Sequence, residues 1–185
     1  MRAQSSKKTI VVAVAALGLV VAVSVGTYKL VRWKNFAEVA EGRVYRSGQL
    51  SERQLETAVT KYRLRKVVCL NPETAEKERA LCQRMGVDFH FFPMPADGRG
   101  AMEQFTAIYR LMNEGPEPKP LLVHCSAGVA RTGVAVALYR ILHDGWSTDK
   151  ALDELRSFER RGRMTIELQQ HVRQMAVQVG AALKR

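Results

Sequence analysis

Leu121-Leu122-Val123-His124-Cys125-Ser126-Ala127-Gly128-Val129-Ala130-Arg131-Thr132-Gly133 joins a short apolar run, a loop of small or apolar residues and the start of a helical pattern. It reads as a strand, a tight loop and a helix N-terminus. Such a helix start offers free N–H groups and the positive end of a dipole. A loop whose successive amides face inward is an anion-binding nest. Ser126, Ala127, Gly128, Val129 and Ala130 permit that turn, and Gly128 takes a positive φ at no steric cost. Cys125 then sits in a positive potential, which lowers a thiol from its ordinary pKa of about 8.5 by several units. Arg131 brings a planar fork that grips two oxygens of a phosphate at once. A cation at a helix start opposes the dipole, so Arg131 makes sense with an anion bound there. Thr132 is placed to hydrogen-bond the sulfur as it becomes a leaving group. The chemistry implied is thiolate attack on phosphorus, then hydrolysis of a phosphocysteine. The amides of residues 126–130 and Arg131 would stabilise the equatorial oxygens throughout.

A departing alkoxide or phenoxide needs a proton, so a general acid must stand opposite the sulfur. Asp97 lies in Pro93-Met94-Pro95-Ala96-Asp97-Gly98-Arg99-Gly100, a Pro- and Gly-punctuated loop after an apolar stretch. Loops of that composition are exposed and free to move over a site. Its rivals are less free: Asp88 falls at an expected strand start and Glu103 inside an expected helix. His124 reads as structural, its ring bonding backbone behind the loop. Cys69 and Cys82 read as core residues.

The rest of the chain alternates strands with helices. Strands are expected over 43–47, 66–70, 87–92 and 121–124. Ser51-Glu52-Arg53-Gln54 is a capping box opening a helix to about 62. Asn71-Pro72 starts another that ends at Gly86, with Pro at the first position and Gly past the end. Further helices are expected over about 101–114, 131–144, 148–160 and 165–183. The alternation predicts an α/β fold: a mostly parallel sheet of four to five strands with helices on both faces. Ligands of such sheets bind beyond the strand C-terminal ends, where Cys125 and Asp97 both fall.

The run from His124 to Gly133 resembles the signature of the cysteine-dependent protein tyrosine and dual-specificity phosphatases: His-Cys, five residues, Arg, then Ser or Thr. Val44-Tyr45-Arg46-Ser47-Gly48-Gln49, Lys66-Val67-Val68-Cys69-Leu70, Phe92-Pro93, Tyr139-Arg140 and Trp146-Ser147 are similar to a compact bacterial dual-specificity-like group. The likeness runs from about residue 35 to 178. It implies the Cys-loop phosphatase fold, Cys125 as nucleophile, Arg131 as phosphate ligand, Asp97 as acid, and no metal or cofactor for the reaction. Phosphotyrosine in proteins is the implied substrate, with phosphoserine and phosphothreonine as further ones. A small phosphate ester (an inositol phosphate or a nucleotide) and a silent phosphate-binding module are the alternatives. Relatives acting on inositol compounds often carry Lys within the loop, and residues 126–130 contain neither Lys nor His. Some relatives protect the nucleophile with a second cysteine, a role the resemblance would give Cys69.

Charge is unevenly spread. The chain carries a net +11, and residues 1–34 hold Arg2, Lys7, Lys8, Lys29, Arg32 and Lys34 with no acidic residue. Thr9 to Tyr28 is a run of 20 uncharged residues, mostly Ala, Val, Leu and Gly. As a helix it would span about 30 Å, the thickness of a bilayer core. Residues 1–8 therefore read as a basic N-terminus, 9–28 as a single-pass transmembrane anchor, 29–34 as a linker and 35–185 as the phosphatase domain. Ala22-Val23-Ser24 resembles a cleavage site, but the apolar run exceeds the roughly 7–15 residues of a signal core, which favours an anchor. Basic residues after the run and an odd count of 3 cysteines lean toward a catalytic domain on the cytoplasmic side. Arg156, Arg160, Arg161 and Arg163 read as a solvated helix end, or as a contact for acidic lipid or acidic substrate. Nucleic-acid binding is not expected, because no aromatic residues interleave with the basic ones.

Overall fold

The computed structural model describes residues 33–115, 119–159 and 164–185. The basic N-terminus, the apolar run 9–28, most of the linker, and Arg160, Arg161 and Arg163 lie outside the described residues. No helix among the described residues is long and apolar enough to cross a membrane.

Five strands form one sheet: β1 (Ala37–Ala40), β2 (Val44–Ser47), β3 (Lys66–Cys69), β4 (Asp88–Phe91) and β5 (Leu121–His124). Their order is β1-β2-β5-β3-β4. Only β1 is antiparallel, paired with β2 through a bulge between Glu38 and Ala40. The pairs β2–β5, β5–β3 and β3–β4 are parallel. The expected mostly parallel sheet is therefore present. Strand β1 was not foreseen: residues 37–40 carry a Glu and three small or β-branched residues, too short and weak a period to stand out. What makes it a strand is the hairpin, turned at Gly42 with φ +61.

Side chains alternate across the sheet, as strand geometry requires. Val44, Val68, Leu121 and Val123 enter one core, with residues of α3 (Met102–Met112), α4 (Ala130–Leu142), α5 (Thr148–Ser157) and α6 (Ile166–Ala182). Tyr45, Val67 and Leu122 enter the other, with α1 (Glu52–Tyr62) and α2 (Ala75–Arg84). Residues Arg131 through Tyr139 of α4 are all buried, so this helix is wrapped by protein on every side.

Among the described residues, side-chain caps at Ser51, Ser147 and Thr165 explain three of the six helix starts. The Ser51 hydroxyl accepts from the Gln54 amide at 3.3 Å, and the Ser51 amide donates to Gln54 Oε1 at 3.0 Å, closing the predicted capping box. Helix α2 departs from expectation: it starts at Ala75, not at Asn71-Pro72. The Asn71 side chain does not cap it. Its Nδ2 donates to Gln49 Oε1 and Thr74 Oγ1, and its Oδ1 accepts from Arg131. The chain spends residues 71–74 on the site.

Candidate active site

Cys125 follows the last residue of β5 and is 2 % exposed. The next carbonyls are held from outside. Ser126 O accepts from Gln49 N at 3.1 Å and from Lys34 Nζ at 2.8 Å. Ala127 O accepts from Asn35 Nδ2 at 2.9 Å, and Gly128 O from Arg46 Nη2 at 2.7 Å. Each peptide whose carbonyl is tied outward turns its N–H inward, so these four donors shape the nest. One result is direct: Gly128 N–H donates to Cys125 Sγ at 3.2 Å.

Gly128 is required there. Its φ is +69, and a Cβ would lie 2.5 Å from Gly48 N and 2.6 Å from Ser47 C, both backbone. The loop thus packs directly on the β2 exit.

The Cys125 thiol is held below the ordinary thiol pKa. Burial pushes it up, but the Thr132 hydroxyl and the amides of Thr132, Gly128 and Ala127 outweigh burial by favouring the thiolate. Thr132 is fully buried, and its Oγ1 has no hydrogen bond of full geometry in the resting site. Such a hydroxyl is free to turn its proton to sulfur once the thiol ionises.

Arg131 begins α4 and is 6 % exposed. Its Nη1 donates to Leu70 O at 3.0 Å and to Asn71 Oδ1 at 3.3 Å, both just beyond β3. A guanidinium has five donors in a fixed fork, so Nε and Nη2 retain theirs for oxygens of a bound anion.

Asp97 lies in the loop between β4 and α3, its side chain 45 % exposed. Oδ1 accepts from Arg99 N at 3.0 Å and Oδ2 from Arg99 Nε at 2.8 Å. The Arg99 amide, then its guanidinium, hold the carboxyl below the usual range. Neighbouring Gly98, with φ +85, packs so closely that a Cβ would lie 2.9 Å from Ala130 C. That contact brings the acid loop against the end of the cysteine loop, so Cys125, Arg131, Thr132 and the Asp97 loop converge.

Sequence reasoning missed the supporting residues. Arg46 is fully buried in β2, its guanidinium 3.6 Å above the Phe158 ring, and burial pushes its pKa down to about 10. Gln49, Asn71, Thr74 and Glu78 form a partly buried polar web beside the Arg131 perch. His171 of α6 faces the Asp97 loop, lowered by burial and by Arg99 while Gly100 and Asp97 raise it. The one signal for any of these was the polar pair Arg46-Ser47 inside a strand that is buried at all four residues. Gln169 of α6 accepts from Arg156 Nη2 at 2.8 Å. The three cysteines are free and buried. Among the described residues, one group has side chains suited to a metal ion: Cys69, Glu78 and His124.

Residues 30–177 match the profile of the tyrosine phosphatase family. Human receptor-type tyrosine-protein phosphatase epsilon is 34 % identical over 79 residues, 41 % of this chain and 11 % of that protein. Dual specificity protein phosphatase TpbA of Pseudomonas aeruginosa is 37 % identical over 49 residues, 26 % of this chain and 22 % of its own length. These matches thus cover only a minor part of either relative. The crystal structure of P. aeruginosa TpbA superposes with a TM-score of 0.66 at 23 % identity, covering 82 % of this chain and 92 % of that one. The core catalytic domain of the PP-IP phosphatase SIW14 from S. cerevisiae superposes at 0.67 and 22 % identity, covering 77 % and 86 %. Both likenesses are of fold.

Proposed function

The chain belongs to the tyrosine phosphatase family, and from that premise we propose that it removes phosphate from phosphotyrosine in proteins, and from phosphoserine and phosphothreonine, through a phosphocysteine on Cys125. The observation that carries the reading is a thiol 2 % exposed yet held below its ordinary pKa by peptide dipoles and a hydroxyl. Burial alone would do the opposite, so the loop is built for a thiolate.

Cys125 Sγ attacks phosphorus in line with the ester oxygen. The amides of residues 126–130 and the free side of Arg131 take the equatorial oxygens. Asp97, protonated, gives its proton to the departing oxygen, then as carboxylate takes one from the water that cleaves the S–P bond. Thr132 hydrogen-bonds the sulfur as it leaves. A small phosphate ester is the rival substrate, since SIW14 shares the fold. The loop residues 126–130 lack Lys and His to meet further phosphates, which favours a phosphoprotein. Residues 9–28 would tether the domain to a bilayer, on its cytoplasmic face.

The deciding experiment is a panel of phosphopeptides, inositol phosphates, nucleotides and phospholipids offered to the purified protein, with Cys125→Ser as control. Vanadate-sensitive turnover of phosphotyrosine peptides, lost in Cys125→Ser while phosphate analogues still bind, is expected. Turnover confined to inositol phosphates or nucleotides would overturn the substrate assignment. No turnover of any member would leave a binding module. Carbonate extraction of membranes tests the tether, and release of the chain to the supernatant would refute it.

A further inference from the structure

Directly behind the cysteine loop, three buried side chains converge from three different elements. Cys69 ends β3, His124 ends β5, and Glu78 lies on α2; Cys69 and His124 are register partners. They are 0 %, 1 % and 6 % exposed, respectively for Cys69, His124 and Glu78. Their sulfur, imidazole nitrogen and carboxylate oxygen all lie within 4.8 Å of one another.

The chemistry between them is unfinished. His124 Nε2 faces Glu78 Oε2 at 3.4 Å, yet neither ring nitrogen makes a hydrogen bond of full geometry. The other groups bonding Glu78 are neutral: Gln49 Nε2 at 2.8 Å and Thr74 Oγ1 at 3.4 Å. A carboxylate removed from water needs a positive charge close by. The Cys69 thiol donates to the Asn71 carbonyl oxygen at 3.3 Å and has the Glu78 carboxylate within reach as a second acceptor.

We propose that Cys69, Glu78 and His124 form a binding site for a zinc-like divalent cation, with the Asn71 carbonyl oxygen as a fourth donor. Thiolate, imidazole and carboxylate together are the donor set of a borderline-soft ion. Bond lengths to zinc are about 2.3 Å for sulfur and 2.0–2.2 Å for nitrogen and oxygen, which puts tetrahedral ligands roughly 3.3–3.7 Å apart. The 3.4 Å between Nε2 and Oε2 already fits, and the sulfur has at most about 1 Å to close. On binding, the thiol proton passes to solvent and a metal–sulfur bond replaces it, with no redox change. The site is not part of the phosphate chemistry. It would brace the loop instead: His124 precedes the nucleophile, and Leu70 and Asn71, just after Cys69, hold Arg131.

The test is titration of the metal-free full chain with Co2+, added both to folded protein and during refolding, followed by displacement with Zn2+. Expected are one equivalent, the visible bands of tetrahedral cobalt and a sulfur-to-cobalt charge-transfer band. The signal should persist in Cys125→Ser and in the presence of vanadate. It should vanish in Cys69→Ser and weaken at least tenfold in Glu78→Gln, with far-UV circular dichroism unchanged. Should Cys69→Ser not fold, Glu78→Gln decides alone. No band in the wild-type chain, a band that follows Cys125, or full cobalt affinity in Glu78→Gln would each overturn the site.

Discussion

Asp97 is asked for a proton while its neighbour holds it ionised. The proposed reaction needs Cys125 as thiolate and Asp97 as acid, so its rate is bell-shaped in pH, with one limb set by each group. Both groups are held below their ordinary values, which places the optimum on the acid side of neutrality. Arg99 contributes its amide first and then its guanidinium. Arg99→Ala keeps the amide and removes the charge, so the Asp97 pKa rises. The limb of kcat/KM that the carboxyl sets should therefore move to higher pH while the limb set by the thiol stays. A series of rates on an alkyl phosphate, whose poor leaving group needs the acid, measures this. A profile with neither limb moved would mean that another group donates the proton. Asp97→Asn should cost roughly 10²–10⁴ on the same substrate and far less on an activated aryl ester. Full rate on the alkyl phosphate would remove Asp97 from the mechanism.

The cysteine loop works as an element because its carbonyls are tied outward by Gln49, Lys34, Asn35 and Arg46. Gly128 is the position with no slack, facing backbone of Ser47 and Gly48. Gly128→Ala must push the loop off β2 and withdraw the amide that bonds Sγ. Loss of one such donor costs about 10²–10³ in kcat. We expect that loss, with a slower alkylation of Cys125 by iodoacetate at neutral pH as the thiol pKa rises. A variant alkylated at the wild-type rate would show that this amide does not set the thiolate. The part of the site legible in the sequence is the contiguous part. Cys125, Arg131 and Thr132 share one loop and helix start, so spacing alone announces them. Arg46 and Asn71 reach the site only because the order β2-β5-β3 places their strand ends side by side, with Glu78 brought in by α2, and no local pattern encodes that order. Asn71 even misleads, since its Asn-Pro signal for a helix start is overridden by its bonds to Arg131 and Gln49. Strand β1 escapes for the related reason that its pairing with β2, rather than its own period, makes it a strand.

At the scale of the molecule, residues 33–185 cluster as one compact unit, and the first four of them buttress the catalytic loop. Trp33 and Phe36 meet edge to face at 4.8 Å, and Phe36 stacks on Tyr62 at 5.0 Å and on Tyr45 at 5.9 Å. Between them, Lys34 and Asn35 hold Ser126 and Ala127, and Gly48 N donates to Lys34 O at 2.6 Å. The expected domain start at 35 therefore cuts through a working part of the structure. A chain beginning at residue 33 should keep the melting temperature and kcat/KM of the full domain. A chain beginning at residue 37 loses two half-buried aromatics, at about 0.5–1.5 kcal/mol per ring pair beyond the area they cover. It also loses the donors on two loop carbonyls, each about 1 kcal/mol. With the three ring pairs, these are roughly 3.5–6.5 kcal/mol, and at about 2–4 °C per kcal/mol for a domain of this size the melting point should fall by about 7–26 °C. Activity should fall further than stability explains, because two carbonyls freed from outside can rotate and spoil the inward amides. Differential scanning calorimetry beside aryl-phosphate turnover at a temperature where both forms are folded separates the two effects. Equal turnover by the two truncated forms would show that the loop holds its shape without its N-terminal brace.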